Sequence, residues 1–197
     1  MKPIERGEIL PLPEYETVRD RFRARVIIEK RSRRIFVGQR VSVVFENRDT
    51  VLLQIQEMLR TERITRGSAI EHEMDTYNEL LPGEDELSCT LMVEIDDKAE
   101  REAFLRAAKG VEDHIWLVGD GRRIAAHSRE RGTDSDRTTA VHYLKFPLPK
   151  AVADAIRTAA QTGWSALALE IDHPAYSARA EFTAQTIASL GEDLQGD

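Results

Sequence analysis

FENRDTVLLQIQEMLRTERI, residues 45–64, sets the end of a strand, a helix cap and an amphipathic helix one after another with no loop between them. Val41, Val43 and Phe45 alternate as the buried face of a strand does. Asn47 or Asp49 then offers a side-chain oxygen to the free N–H groups of a first helical turn, where a carboxylate is also favoured. Val51, Leu52, Ile55, Met58 and Leu59 make one apolar stripe on that helix, and Arg48, Gln54, Gln56, Glu57 and Arg60 fall on its other faces. Side chains of this kind hydrogen-bond a partner as readily as water, so these five are the candidate partner-binding residues.

Upstream, Pro11 and Pro13 introduce a helix over about 14–33, with Tyr15, Val18, Phe22 and Val26 at helical spacing. This is a helical N-terminal arm, residues 1–34. Two strands around Gly38 lead from it into the central segment. Downstream, Ser68 and Glu71 have capping-box spacing ahead of Ile70, Met74, Tyr77 and Leu81, and Pro82-Gly83 stops that helix. The period then becomes two, with Leu87, Cys89, Leu91, Val93 and Ile95 on one strand face. Asp96 or Asp97 caps a short helix, and Gly119-Asp120-Gly121 turns a hairpin. Residues 128–138 are polar and read as a mobile loop. A strand over 141–146, a helix from Pro149, two strands broken at Pro174, a helix over 183–190 and an acidic tail at 191–197 complete the chain. Few strands are joined by helical crossovers. The expected class is α+β, a mainly antiparallel sheet with N-terminal helices and further helices packed on it, in a single domain over 1–197.

The 197 residues carry a net charge of −7, which disfavours whole-surface binding to nucleic acid or anionic lipid. A single cysteine, Cys89, excludes an internal disulfide and any cysteine-only zinc or iron–sulfur site, and its place in the strand pattern makes it a buried thiol. The opening MKPIERGEILPLPEY lacks a signal-peptide core, and no apolar run is long enough to span a bilayer, so the expected location is the cytoplasm. There is no G-x-S-x-G elbow, no phosphate-binding G-x-x-x-x-G-K-[ST] loop and no H-E-x-x-H helix.

Charge is unevenly spread. Residues 19–34 hold eight basic side chains against two acidic ones, a local +6, which leaves −13 for the remainder of the chain. Arg19, Arg23, Arg31, Arg33 and Arg34 are the candidate polyanion-binding residues. The competing reading has these arginines answered by the protein's own acidic surface or by a second subunit, as in a homo-oligomer. Glu57, His72, Asp75, His142 and His173 are the candidate ligands for a divalent metal, the one cofactor class that the histidine and carboxylate pattern invites. His142, in phase with Leu144 and Phe146, also reads as a hydrogen-bonded core histidine.

The segments KPIERGEILPLPEYE (2–16), FENRDTVLLQIQEMLRTERI (45–64), YNELLPGEDELSCTLMVEI (77–95), AVHYLKFPL (140–148) and IDHPAYSA (171–178) together resemble a bacterial family known only as a domain of unknown function. The resemblance spans nearly the whole chain and brings no catalytic residue or cofactor with it. It implies a gene neighbourhood of rubrerythrin-like proteins and iron–sulfur oxidoreductases, and hence an accessory role beside such a partner. Three functions follow from the residues and the resemblance: an accessory or regulatory protein docking a redox or iron-handling partner, a metal-dependent enzyme or metal carrier, and a polyanion-binding protein.

Overall fold

The computed structural model describes residues 1–128 and 136–195. Residues 129–135 of the expected mobile loop, and 196–197 of the expected acidic tail, lie outside the described residues.

Six helices and nine strands follow one another as α1 (Leu12–Arg33), β1 (Arg34–Val37), β2 (Val41–Phe45), α2 (Arg48–Thr61), α3 (Gly67–Asn78), β3 (Glu86–Val93), α4 (Lys98–Ala107), β4 (Ile115–Gly119), β5 (Arg122–Ala125), β6 (His127–Ser128), β7 (Val141–Pro147), α5 (Lys150–Thr162), β8 (Leu167–His173), β9 (Tyr176–Glu181) and α6 (Ala184–Leu194) among the described residues. The α+β class is as expected, and the strands divide between two antiparallel sheets, β1-β2-β3-β7-β6 and β5-β4-β8-β9. No helix among the described residues is long and apolar enough to cross a membrane.

Alternation along the strands decides which side chains enter the core. Ile35 stands opposite Val43, Val43 opposite Leu91, and Phe45 opposite Cys89. This inner face joins Leu117, Leu169 and Ile171 of the second sheet and Ile156, Ile187 and Leu190 of α5 and α6 in one buried cluster. Cys89 is buried there, and burial pushes its thiol well up, so it is an inert core residue. A second cluster, Ile4, Ile9, Val51, Ile55, Leu59, Ile70, Met74 and Tyr77, closes α2 and α3 over the first ten residues, and Tyr143 from the outer face of β7 packs against it. The first residues of the N-terminal segment therefore pack against α2 and α3.

Three boundaries differ from the expected ones. Thr183 caps α6, which runs on to Leu194 and carries Gly191, Glu192 and Asp193 into the fold instead of a tail. α3 starts at Gly67 after Arg66, without a side-chain cap from Ser68. Thr138, expected in the mobile loop, is buried and receives its place from the Leu105 carbonyl, which accepts its N–H at 3.1 Å. Gly38 turns β1 into β2 at φ +73°, and a Cβ there would lie 2.5 Å from the Tyr176 hydroxyl. That hydroxyl donates to the Val37 carbonyl and accepts from Arg40 N–H at 3.3 Å, joining the edges of the two sheets.

Candidate functional site

Asn47 caps α2, accepting from Thr50 N–H at 3.0 Å, and the polar face of the helix is thereby turned towards the N-terminal segment. Arg48 donates to Glu8 at 2.8 and 2.9 Å and to the carbonyls of Lys2 and Pro3 at 3.0 Å. Gln56, 2% exposed, accepts from Leu10 N–H at 2.7 Å and donates to the Leu10 carbonyl at 3.3 Å. Glu57 accepts from Tyr15 at 2.8 Å and forms a two-pronged pair with Arg19 at 2.7 and 2.8 Å. Arg60 donates to Glu16 at 2.6 Å. Four of the five candidate partner-binding residues thus hold the protein's own N-terminal residues, Arg48 and Gln56 the segment before α1 and Glu57 and Arg60 α1 itself. A donor or acceptor on a helix face satisfies an internal partner as well as a foreign one, so the sequence pattern alone could not separate the two. The Arg19 guanidinium holds the Glu57 carboxyl below its ordinary value, and burial, followed by the hydrogen bond to Glu57, pushes the Tyr15 hydroxyl up. Gln54 remains open to a cavity described below.

The candidate polyanion residues separate in the same way. Arg33 is 1% exposed, donating to the Phe45 carbonyl at 2.9 Å and to Ser189 Oγ at 2.9 Å and pairing with both oxygens of Asp193. Burial pushes the Asp193 carboxyl up while Arg33 draws it back down. Arg34 pairs with Glu94 at 2.7 Å, and Arg19 with Glu57. Of the five, Arg23 and Arg31 stand exposed. Four of the eight basic residues in the run, Arg19, Arg25, Arg33 and Arg34, are answered by the protein's own carboxylates.

The five candidate metal ligands do not converge. His72 and Asp75 are exposed on α3, and Glu57 is held by Arg19. His142 is buried on β7 with Nε2 3.1 Å from Thr138 Oγ1, and burial pushes its imidazole down, favouring the neutral ring. His173 places Nε2 at 3.1 Å from the Lys109 carbonyl and accepts from Ala175 N–H on Nδ1, which fixes Nε2 as the protonated nitrogen. Among the described residues no three His, Cys, Asp or Glu side chains form a metal-holding group. Shared helical spacing put His72 and Asp75 on one face, but that face is the solvent face.

Two concavities take in candidate partner-binding residues, Gln56 in one and Gln54 in the other. The first is an apolar groove of about 410 Å3 between α1 and α2, lined by Leu10, Val18, Phe22 and Leu52, with Arg21 and Arg25 at its edge and Tyr15 and Gln56 in its floor. The second, of about 270 Å3, lies on the outer face of the first sheet. Its floor follows the strand register, Arg34 beside Val44, Val44 beside Thr90, and Thr90 beside Tyr143, with Met92 and Val141 in the next row. Lys30, Gln54 and Leu80 wall it from α1, α2 and the segment after α3. Glu46 completes it, 8% exposed, with its two carboxylate oxygens accepting from the Thr50 and Thr90 hydroxyls. Sequence reasoning brought Gln54 and Arg34 forward separately and missed Glu46, Lys30, Thr90 and Tyr143. The period of two that places Ser42 and Val44 on the outer face continues to Glu46, and that was the available signal.

Set beside known proteins, residues 3–194 match the family described as protein of unknown function, DUF3501. The chain is similar to a crystal structure, at 1.90 Å resolution, of a novel protein of unknown function from Burkholderia pseudomallei K96243. The two are 32% identical and superpose with a TM-score of 0.89 over 98% of this chain and 100% of the other. No curated protein matches the chain.

Proposed function

The chain belongs to the DUF3501 family, and on that premise we propose that it is a cytoplasmic, non-catalytic accessory protein that docks a redox or iron-handling partner, seating an acidic amphipathic helix of that partner in the groove between α1 and α2. The observation that carries this reading is the poor coverage of α1. The helix is 22 residues long and buries only Tyr15, Val26 and Arg33. Val18 and Phe22 instead face the groove, and Ile28 is 64% exposed further along. Apolar side chains spaced by four residues beside a neighbouring helix offer the surface on which an amphipathic helix lays its own apolar stripe. The groove's edge carries Arg21 and Arg25 against one carboxylate, Glu8, which Arg48 holds. Arg21 is exposed, and Arg25 stacks over the Phe22 ring at 5.3 Å while pairing with Asp49. An acidic helix face complements that edge and gains speed of association from it.

The test is affinity capture from the native host with the wild-type chain and a Phe22→Glu variant as paired baits, followed by mass spectrometry. Recovery of a rubrerythrin-like or iron–sulfur protein on the wild type, lost on the variant, supports the reading. Capture that never includes such a protein, or that is indifferent to Phe22, sinks it.

A further inference from the structure

The cavity on the outer face of the first sheet serves a different purpose, and we propose that it binds a free α-amino acid with an apolar side chain, its ammonium on Glu46 and its carboxylate between Lys30 and Arg34. Glu46 carries the argument. Its carboxylate is almost fully buried yet receives only two neutral hydroxyl donors, Thr50 and Thr90, and no cation among the described residues stands within ion-pair distance of it. Buried carboxylates are ordinarily matched by a positive group, because an ionised oxygen taken from water without one is costly. Each oxygen accepts about two hydrogen bonds, so one acceptor position on each remains for a ligand ammonium.

The same cavity also offers positive groups. Lys30 is half-buried, lines the cavity and forms no ion pair among the described residues. Arg34 spends one guanidinium nitrogen on Ser42 at 2.9 Å and Glu94 at 2.7 Å, leaving its other donors for a carboxylate. Arg34 is directly across from Val44, about 5 Å away between strands, and Glu46 stands about 7 Å from Val44 along the chain on the same face. With side chains of this length, that spacing lets a small molecule carrying an ammonium and a carboxylate on the same carbon reach both groups. Val44, Leu80, Met92 and Val141 supply an apolar wall for a side chain. The volume, about 270 Å3, is below the roughly 300–1,000 Å3 of sites for drug-sized ligands, as expected for a single amino acid.

Titration calorimetry on the full chain decides the matter with three probes: L-leucine, 4-methylpentanoate, which lacks the amine, and 3-methylbutylamine, which lacks the carboxylate. Leucine binding that weakens by about tenfold or more in each truncated analogue is the expected result. Glu46→Gln, which keeps an oxygen for one threonine hydroxyl and offers an N–H to the other, and Lys30→Met, in the last turn of α1, each reproduce that loss in chains that unfold thermally as the wild type does. Lys30→Met stands as the independent test should Glu46→Gln not fold. The proposal is overturned if leucine gives no heat, if 4-methylpentanoate binds equally well, which would mark a simple anion site, or if the amine alone binds equally well.

Discussion

At Arg33 a buried guanidinium ties the last turn of α1 to the Phe45 carbonyl and to Ser189 and Asp193 of α6. Removing one member of such a pair leaves the other buried and uncompensated, at a cost of about 3–5 kcal/mol. Arg33→Met should therefore lower the free energy of unfolding in urea by that order. An Arg33→Met, Asp193→Leu double variant should be more stable than Arg33→Met alone, because an apolar pair carries no stranded charge. A surface residue shows the opposite balance. The Arg123 guanidinium, followed by the Trp116 N–H, holds the Asp172 carboxyl at about 2 against an ordinary 3.8. Its contribution is present above the ordinary value and is lost as pH falls through about 2, since the unfolded chain takes up the proton first. The melting temperatures of wild type and Asp172→Asn should differ at neutral pH and converge as pH falls through that window. Cys89 and His142 were legible as buried residues because their strands alternate strictly. Arg33 was not, because the carboxylate that justifies its burial lies 160 residues away.

The packing of α5 on α6 depends on a residue with no side chain. A Cβ at Gly191 would lie 2.7 Å from the Ile156 carbonyl oxygen, and backbone cannot rotate aside. Gly191→Ala should push the two helices apart and destabilise the protein by about 1–3 kcal/mol, read from the urea midpoint at unchanged slope. The same glycine stands where the expected helix ends and the expected acidic tail begins. After Leu190, a glycine followed by Glu192 and Asp193 looks like a helix stop and an acidic tail. In the structure it is the point of closest helix approach, a reason that local pattern cannot express. α2 was legible because its signals are local, with Asn47 supplying the cap and Val51, Ile55 and Leu59 supplying the stripe. Its partners were not, since Tyr15, Arg19 and Glu16 reach it across the fold.

Over the whole molecule, alternation revealed the strands but not their division into two sheets. β5 and β6 are separated by a single residue, yet β5 pairs with β4 in one sheet and His127 of β6 with Lys145 of β7 in the other. Only register between distant segments fixes that. Charge is distributed on the same scale, +6 over residues 19–34 against −13 elsewhere. Docking by an acidic partner should weaken as ionic strength rises from about 0.1 M to about 1 M, where the screening length falls from about 10 Å to about 3 Å. Arg21→Glu should slow association more than it hastens release, as surface-plasmon kinetics would read. The tie between Arg33 and Asp193 also bears on how the chain is born. At about 5–20 residues per second, the ribosome delivers Asp193 on the order of 10–30 s after Arg33 has emerged. Through that interval α1 holds an arginine with no carboxylate to meet it. A stalled or truncated nascent chain would thus leave the last turn of α1 unsecured while α2 already holds the turns around Tyr15 and Arg19.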